Sequence, residues 1–168
     1  QGFAVLACSS YLRSYELNPS TDEALFGFAT MSHLLGYFER AIDAYRTCTE
    51  LYPEQTKFYF NMGNAYNDLG QLEDAIQSYD LALKLDGHNH NAWLNKATVY
   101  QVQGRLALAA DAIDHALIEF PGCGEAWLAL SKLKTFYAAD TLDLVQMETV
   151  FEDGGAELNS RVSAGFAN

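Results

Sequence analysis

The stretch Asn61-Met62-Gly63-Asn64-Ala65-Tyr66-Asn67-Asp68-Leu69-Gly70 runs into Gln71-Leu72-Glu73-Asp74-Ala75-Ile76-Gln77-Ser78-Tyr79-Asp80-Leu81-Ala82 and stops at Asp86-Gly87. Its skeleton returns at a fixed interval on either side. Gly2, Gly36, Gly70 and Gly104 stand 34 residues apart. Each is followed in register by an alanine (Ala7, Ala41, Ala75, Ala109), then a bulky residue (Tyr11, Tyr45, Tyr79, Ile113). A small residue comes next (Ser14, Cys48, Ala82, Ala116), and each period closes on a breaker, Pro19, Pro53, Gly87 or Pro121. Self-similarity at a fixed period of this length marks a repeat array, in which each unit buries its apolar face against its neighbours.

Each period reads as two helices and two turns. Tyr59, Met62, Gly63 and Tyr66 recur at helical spacing and give the first helix one apolar face. Gly70 supplies the left-handed residue that ends it. A second helix starts near Leu72 and turns Ala75, Tyr79 and Ala82 inward, the alanines allowing close approach of helices and the aromatic filling the gap. The flanking periods repeat the scheme with Leu25, Phe28, Ala29, Ala41, Tyr45 and Cys48, and with Trp93, Ala97, Tyr100, Ala109, Ile113 and Ala116. Two positions depart from it. Ser32 replaces a large aromatic, which predicts weak packing there, and Lys96 stands at an inward position, where its stem packs and its amine snorkels.

These residues resemble the tetratricopeptide repeat, whose unit is a 34-residue helix-turn-helix. The resemblance implies an all-α fold, a right-handed superhelical solenoid of antiparallel helix pairs. The expected organisation is a second helix of a truncated unit at 1–21, units at 22–55, 56–89 and 90–123, a divergent fourth unit at 124–155, and the start of a further helix at 156–168. With Gln1-Gly2 falling at the turn of a unit and no initiator methionine, the chain reads as a fragment of a longer protein. Its terminal helices would then expose apolar faces, through which self-association is one expected outcome.

Composition narrows the function. A formal charge of -12, with ten scattered basic residues, argues against nucleic acid, since phosphate binding needs clustered Lys and Arg. No apolar run approaches the ~18 residues of a spanning helix, so no membrane partner is expected. The three cysteines are odd in number and widely spaced, which disfavours a disulfide framework and fits a reducing, cytoplasmic setting. Val5-Leu6-Ala7-Cys8 has the form of a lipoprotein attachment box, but the apolar run before it is short and lacks a basic flank.

In a stack of helix pairs the first helices line the concave face. Register places Phe26, Phe60, Leu94 and Leu128 there as an apolar row. Beside it lie Asn61 and Asn95, then Thr30, Asn64, Thr98 and Lys132, with Asn67 and Gln101 further along. Asparagine both donates and accepts, so Asn61 and Asn95 suit the backbone of an extended peptide while the apolar row takes its side chains. The alternative is that these amides simply face water. The carboxylate clamp that some tetratricopeptide domains apply to chaperone C-termini is not expected. Phe26 and Thr30 replace its first-unit Lys and Asn, and Asn91 and Asn95 stand where Lys and Arg would be.

Catalytic and metal signals are weak. His88 and His90 share a loop without a third ligand, and Cys123, between Gly122 and Gly124, is expected near the surface without an activating base. Neither His33 nor His115 has a nucleophile partner, and Glu73-Asp74 reads as a solvated face. No catalytic residue, cofactor or metal is expected. The fourth unit loses the pattern at Lys134, Ala138 and Asp143. Glu125-Ala126-Trp127, Leu130-Ser131-Lys132-Leu133-Lys134-Thr135-Phe136, Asp143, Met147-Glu148, Arg161 and Phe166-Ala167 are similar to the junction in bacterial proteins where tetratricopeptide repeats precede a sulfotransferase domain. That resemblance implies the repeat region of such an enzyme, without its catalytic domain. The leading expectation is a non-catalytic module that binds a protein or peptide ligand.

Overall fold

The computed structural model describes residues 2–17 and 22–139. They form eight helices: α1 (Gly2–Leu17), α2 (Asp22–Leu34), α3 (Phe38–Leu51), α4 (Thr56–Leu69), α5 (Leu72–Leu85), α6 (His90–Val102), α7 (Leu106–Glu119) and α8 (Gly124–Ala139). Asp143, Met147-Glu148, Arg161 and Phe166-Ala167, with the rest of the expected fourth unit and the helix start at 156–168, lie outside the described residues. The helices fall into two compact units, Gln1–Gly87 with α1–α5 and His88–Asn168 with α6–α8.

The first-to-second-helix turns share one solution. Gly36, Gly70 and Gly104 take φ of 81°, 84° and 71°, the left-handed region where a side chain would be strained. Each closes the same pair of bonds. Gly70 N–H donates to Asn67 O at 2.9 Å and Gln71 N–H to Tyr66 O at 2.9 Å, and the pattern repeats from Gly36-Tyr37 and Gly104-Arg105. These 6→1 and 5→2 bonds satisfy carbonyls that the helix end would leave orphaned. The second helices end alike, with Tyr52, Asp86 and Phe120 each donating to the carbonyl four residues back.

The buried stripe follows the period. In α5 it is Ala75, Ile76, Ser78, Tyr79, Ala82 and Leu83, and in α7 Ala109, Ala110, Ala112, Ile113, Ala116 and Leu117. Ala41, Ala75 and Ala109 are fully buried, as the close helix approach requires. Tyr45, Tyr79 and Ile113 are fully buried at the shared bulky position, each apolar body contributing about 2 kcal/mol by leaving water. In the first unit the core runs through Leu25, Phe28, Tyr45, Cys48, Phe58 and Met62. In the second it runs through Ile113, Leu117, Ala126, Leu130 and Leu133.

Ser32 and Cys123 are both buried. Ser32 is fully buried, and its carbonyl accepts from Tyr37 N–H at 2.9 Å. No buried side-chain polar atom among the described residues lacks a partner, so a serine is accommodated there without an unmet polar group. Cys123 is 8% exposed rather than at the surface, because its N–H turns back to Phe120 O and its thiol joins the core around Ile113 and Leu117. Lys96 behaves as its position demands. Its stem is half-buried and its Nζ lies 5.2 Å above the Trp93 ring and 5.6 Å from that of Tyr100.

Candidate peptide-binding surface

In the first unit the candidate residues lie on α2 and α4, all half-buried: Phe26 and Thr30 on the former, Phe60, Asn61, Asn64 and Asn67 on the latter. Phe26 is wedged between rings, 5.5 Å from Phe58 and 6.0 Å from Tyr45. Lys57 completes this cluster, with Nζ 5.2 Å from the Phe26 ring, 4.8 Å from that of Phe58 and 3.1 Å from Asp22 Oδ2. Phe60 lies 6.1 Å from the buried Tyr79 ring.

Second-helix tyrosines reach through to this face. Tyr79 OH donates to Asn64 Oδ1 at 2.8 Å, and Tyr45 OH donates to Thr30 Oγ1 at 3.3 Å. Thr30 Oγ1 in turn donates to Phe26 O at 2.9 Å. Burial pushes the Tyr45 hydroxyl's pKa above its usual value, against a smaller lowering from Thr30. Asn61 donates Nδ2 to Lys57 O at 2.7 Å within its own helix. One of the two Nδ2 hydrogens is thus used within the helix, and the other, with Oδ1, is left for a partner. Beside these residues His33 Nε2 meets Asp68 Oδ2 at 2.8 Å, a pairing across one repeat that the sequence reading did not contain.

In the second unit Leu94, Asn95, Thr98 and Gln101 lie on α6, and Leu128 and Lys132 on α8. Leu94, Asn95 and Gln101 are half-buried, whereas Thr98, Leu128 and Lys132 are exposed. Thr98 turns its hydroxyl onto Leu94 O at 3.0 Å. Gln101 and Lys132 come together at one cavity of about 260 Å³, which Gly104, Leu106 and Leu133 also line. The histidines of this unit have other work. His90 stacks on Phe120 with centroids 5.3 Å apart, His115 on Trp93 at 4.5 Å, and His88 Nδ1 pairs with Glu119. Among the described residues no three His, Cys, Asp or Glu side chains gather as a metal set, and no helix is long and apolar enough to cross a membrane.

Tetratricopeptide-repeat profiles match residues 22–55, 56–89 and 94–133, more than half of the chain. The chain belongs to the tetratricopeptide repeat family and is an all-α tetratricopeptide solenoid. No curated protein matches it in sequence. Among solved structures it is similar to MamA, at 15% identity and a TM-score of 0.73 over 96% of this chain and 90% of that one. It is also similar to the first tetratricopeptide domain of Spaghetti (RPAP3) bound to the HSP90 peptide SRMEEVD, at 21% identity and 0.65 over 70% and 93%. A third is the Yersinia enterocolitica type III secretion chaperone SycD in complex with a peptide of the translocator YopD, at 20% identity and 0.61 over 70% and 89%. At these identities the likeness is one of fold.

Proposed function

We propose that this chain is a non-catalytic protein-interaction module whose first-helix faces hold an extended segment of a partner protein. The observation that carries the reading is the α2–α4 face. There the half-exposed rings of Phe26 and Phe60 alternate with the amides of Asn61, Asn64 and Asn67, and buried tyrosine hydroxyls fix Thr30 and Asn64 from behind. A face of ordered polar groups beside apolar ones binds at low entropic cost. Leu94, Asn95, Thr98 and Leu128 offer the same alternation on α6 and α8. Two of the structural relatives are complexes with peptides, which supports the class of partner.

A reducing, cytoplasmic setting suits this reading, since the thiols of Cys48 and Cys123 are both unpaired and buried. The sulfotransferase-junction resemblance has no support of its own. Every matching profile is a tetratricopeptide one, and the later part of the resemblance, from Asp143 to Ala167, lies outside the described residues.

Selection of peptides from a random display library against the 168-residue chain tests the reading. Selected peptides should lose about fivefold in affinity for each of Asn61→Ala and Asn67→Ala, roughly one hydrogen bond apiece. They should be indifferent to Asp43→Asn and Asp80→Asn on the second helices. An empty selection, or peptides that respond only to the second-helix variants, would remove the proposal.

A further inference from the structure

The cavity in the second unit singles out a chemistry. Its walls are largely apolar, from Leu106, Leu133 and the turn at Gly104, while Gln101 and Lys132 bring one amide and one ammonium. The surroundings are charge-segregated. Helix α6 contains no acidic residue and α8 only Glu125, whereas Asp111, Asp114 and Glu119 all lie on α7, which has no Lys or Arg. The first turn of α7, which begins at the cavity wall with Leu106, also lacks the carboxylate found in the first turns of α3 (Glu39) and α5 (Glu73, Asp74). The partial positive charge of that helix end is therefore uncompensated from within. In a chain of net charge -12, Lys132 and that helix end are the positive groups at the cavity.

Resting on the module reading above, we propose that the Gln101–Lys132 cavity is the anchor for an acidic peptide segment. A bulky apolar side chain enters between Leu106 and Leu133, and the side-chain carboxylate of its neighbour pairs with Lys132 and accepts from the Gln101 amide. A cavity of about 260 Å³ admits one such apolar side chain with room for the adjoining carboxylate at its mouth. The carboxylate belongs to a side chain and not to a chain terminus, so the segment binds with both of its ends continuing.

The test uses the full chain and a tripeptide of leucine between two glutamates, acetylated and amidated so that no terminal charge remains. Backbone amide shifts should move at Gln101, Gly104, Leu106, Lys132 and Leu133 and saturate. Replacing both glutamates by glutamine in the peptide, or Lys132→Gln in the protein, should weaken binding by roughly tenfold, the worth of one charge-assisted hydrogen bond. The peptide arm needs no protein variant and so stands independently of folding. Equal affinity for the glutamine peptide overturns the proposal, as does binding only when the leucine peptide carries a free C-terminal carboxylate. Silence of every tripeptide while display-selected peptides still respond to Asn61→Ala removes this cavity and leaves the module reading intact. Silence of both removes both.

Discussion

The Tyr79 hydroxyl donates to Asn64 Oδ1 across 2.8 Å, and one repeat earlier Tyr45 makes the matching but longer bond, 3.3 Å, to Thr30 Oγ1. Two fully buried rings thus end in polar tips that surface on the opposite helix. Tyr79→Phe keeps the ring and removes the hydroxyl that donates to Asn64 Oδ1, so it should cost about 1 kcal/mol, the worth of one hydrogen bond. Tyr45→Phe should cost less, because its bond is longer and Thr30 keeps its own bond to Phe26 O. Urea unfolding of the two variants gives the comparison. Equal losses would mean that the hydroxyls contribute nothing specific to their partners.

Gly63 and Gly27 face aromatic rings at the same distance with different consequences. A Cβ on Gly63 would stand 2.6 Å from Tyr79 Cε1, and one on Gly27 2.5 Å from Tyr11 Cε1. Tyr79 is sealed in the core, whereas Tyr11 is 39% exposed and is able to swing aside. Gly63→Ala should therefore lose about 1 kcal/mol, an overpacking cost of ~2 offset by ~1 of helix propensity. Gly27→Ala should cost less than this, and not nothing, because Tyr11 Cγ also lies 2.9 Å from the new Cβ and only a shift of the whole partly exposed side chain relieves it. Thermal unfolding decides the order, and a reversed order would mean that the Tyr79 ring yields more easily than its burial implies.

The Cys48 thiol is buried in the first unit's core, and burial, with a smaller contribution from Asp22, raises its pKa to about 12. An unfolded cysteine ionises near pH 8.5. The folded state holds the proton longer, so this contribution to stability is complete below pH 8.5 and is lost as pH climbs from there towards 12. Between those values the native chain should lose ~1.4 kcal/mol of stability per pH unit more than a Cys48→Ala variant does. Urea titrations at pH 8 and pH 10.5 measure it. Parallel slopes for the two proteins would show that the thiol titrates alike in both states.

The 34-residue recurrence made the fold legible because the positions that recur are those whose physics leaves least choice. Gly36, Gly70 and Gly104 need a left-handed φ, Ala41, Ala75 and Ala109 need close approach, and Tyr45, Tyr79 and Ile113 fill one kind of gap. The candidate surface was legible in outline only. Register put Asn61 and Thr98 on the first-helix faces, but not that each would bond a carbonyl four residues back in its own helix. The bond of His33 to Asp68, and the meeting of Gln101 and Lys132 at one cavity, depend on helix packing between repeats, which a period does not encode. Cys123 reads as a surface residue because it sits in a glycine-flanked inter-unit loop, yet the turn that bonds Cys123 N–H to Phe120 O leaves it in the cluster of Ile113 and Leu117.

Lys57 gives the last prediction, since it joins an ion pair and an aromatic cluster in one side chain. Its contact with Asp22 Oδ2 at 3.1 Å is partly exposed on both sides, and such pairs contribute under about 1 kcal/mol and fade with salt. Its Nζ also lies within 5.2 Å of the Phe26 and Phe58 rings, an attraction of roughly 0.5–1 kcal/mol at an exposed site, which salt weakens less than the ion pair because the rings carry no net charge. Asp22→Asn should therefore destabilise by a few tenths of a kcal/mol, and 0.5 M salt should erase most of the difference. Lys57→Gln should cost about 1 kcal/mol and retain roughly half of that in salt, the part due to the rings. If both losses vanish together in salt, the ion pair accounts for all of the lysine's contribution and the rings for none.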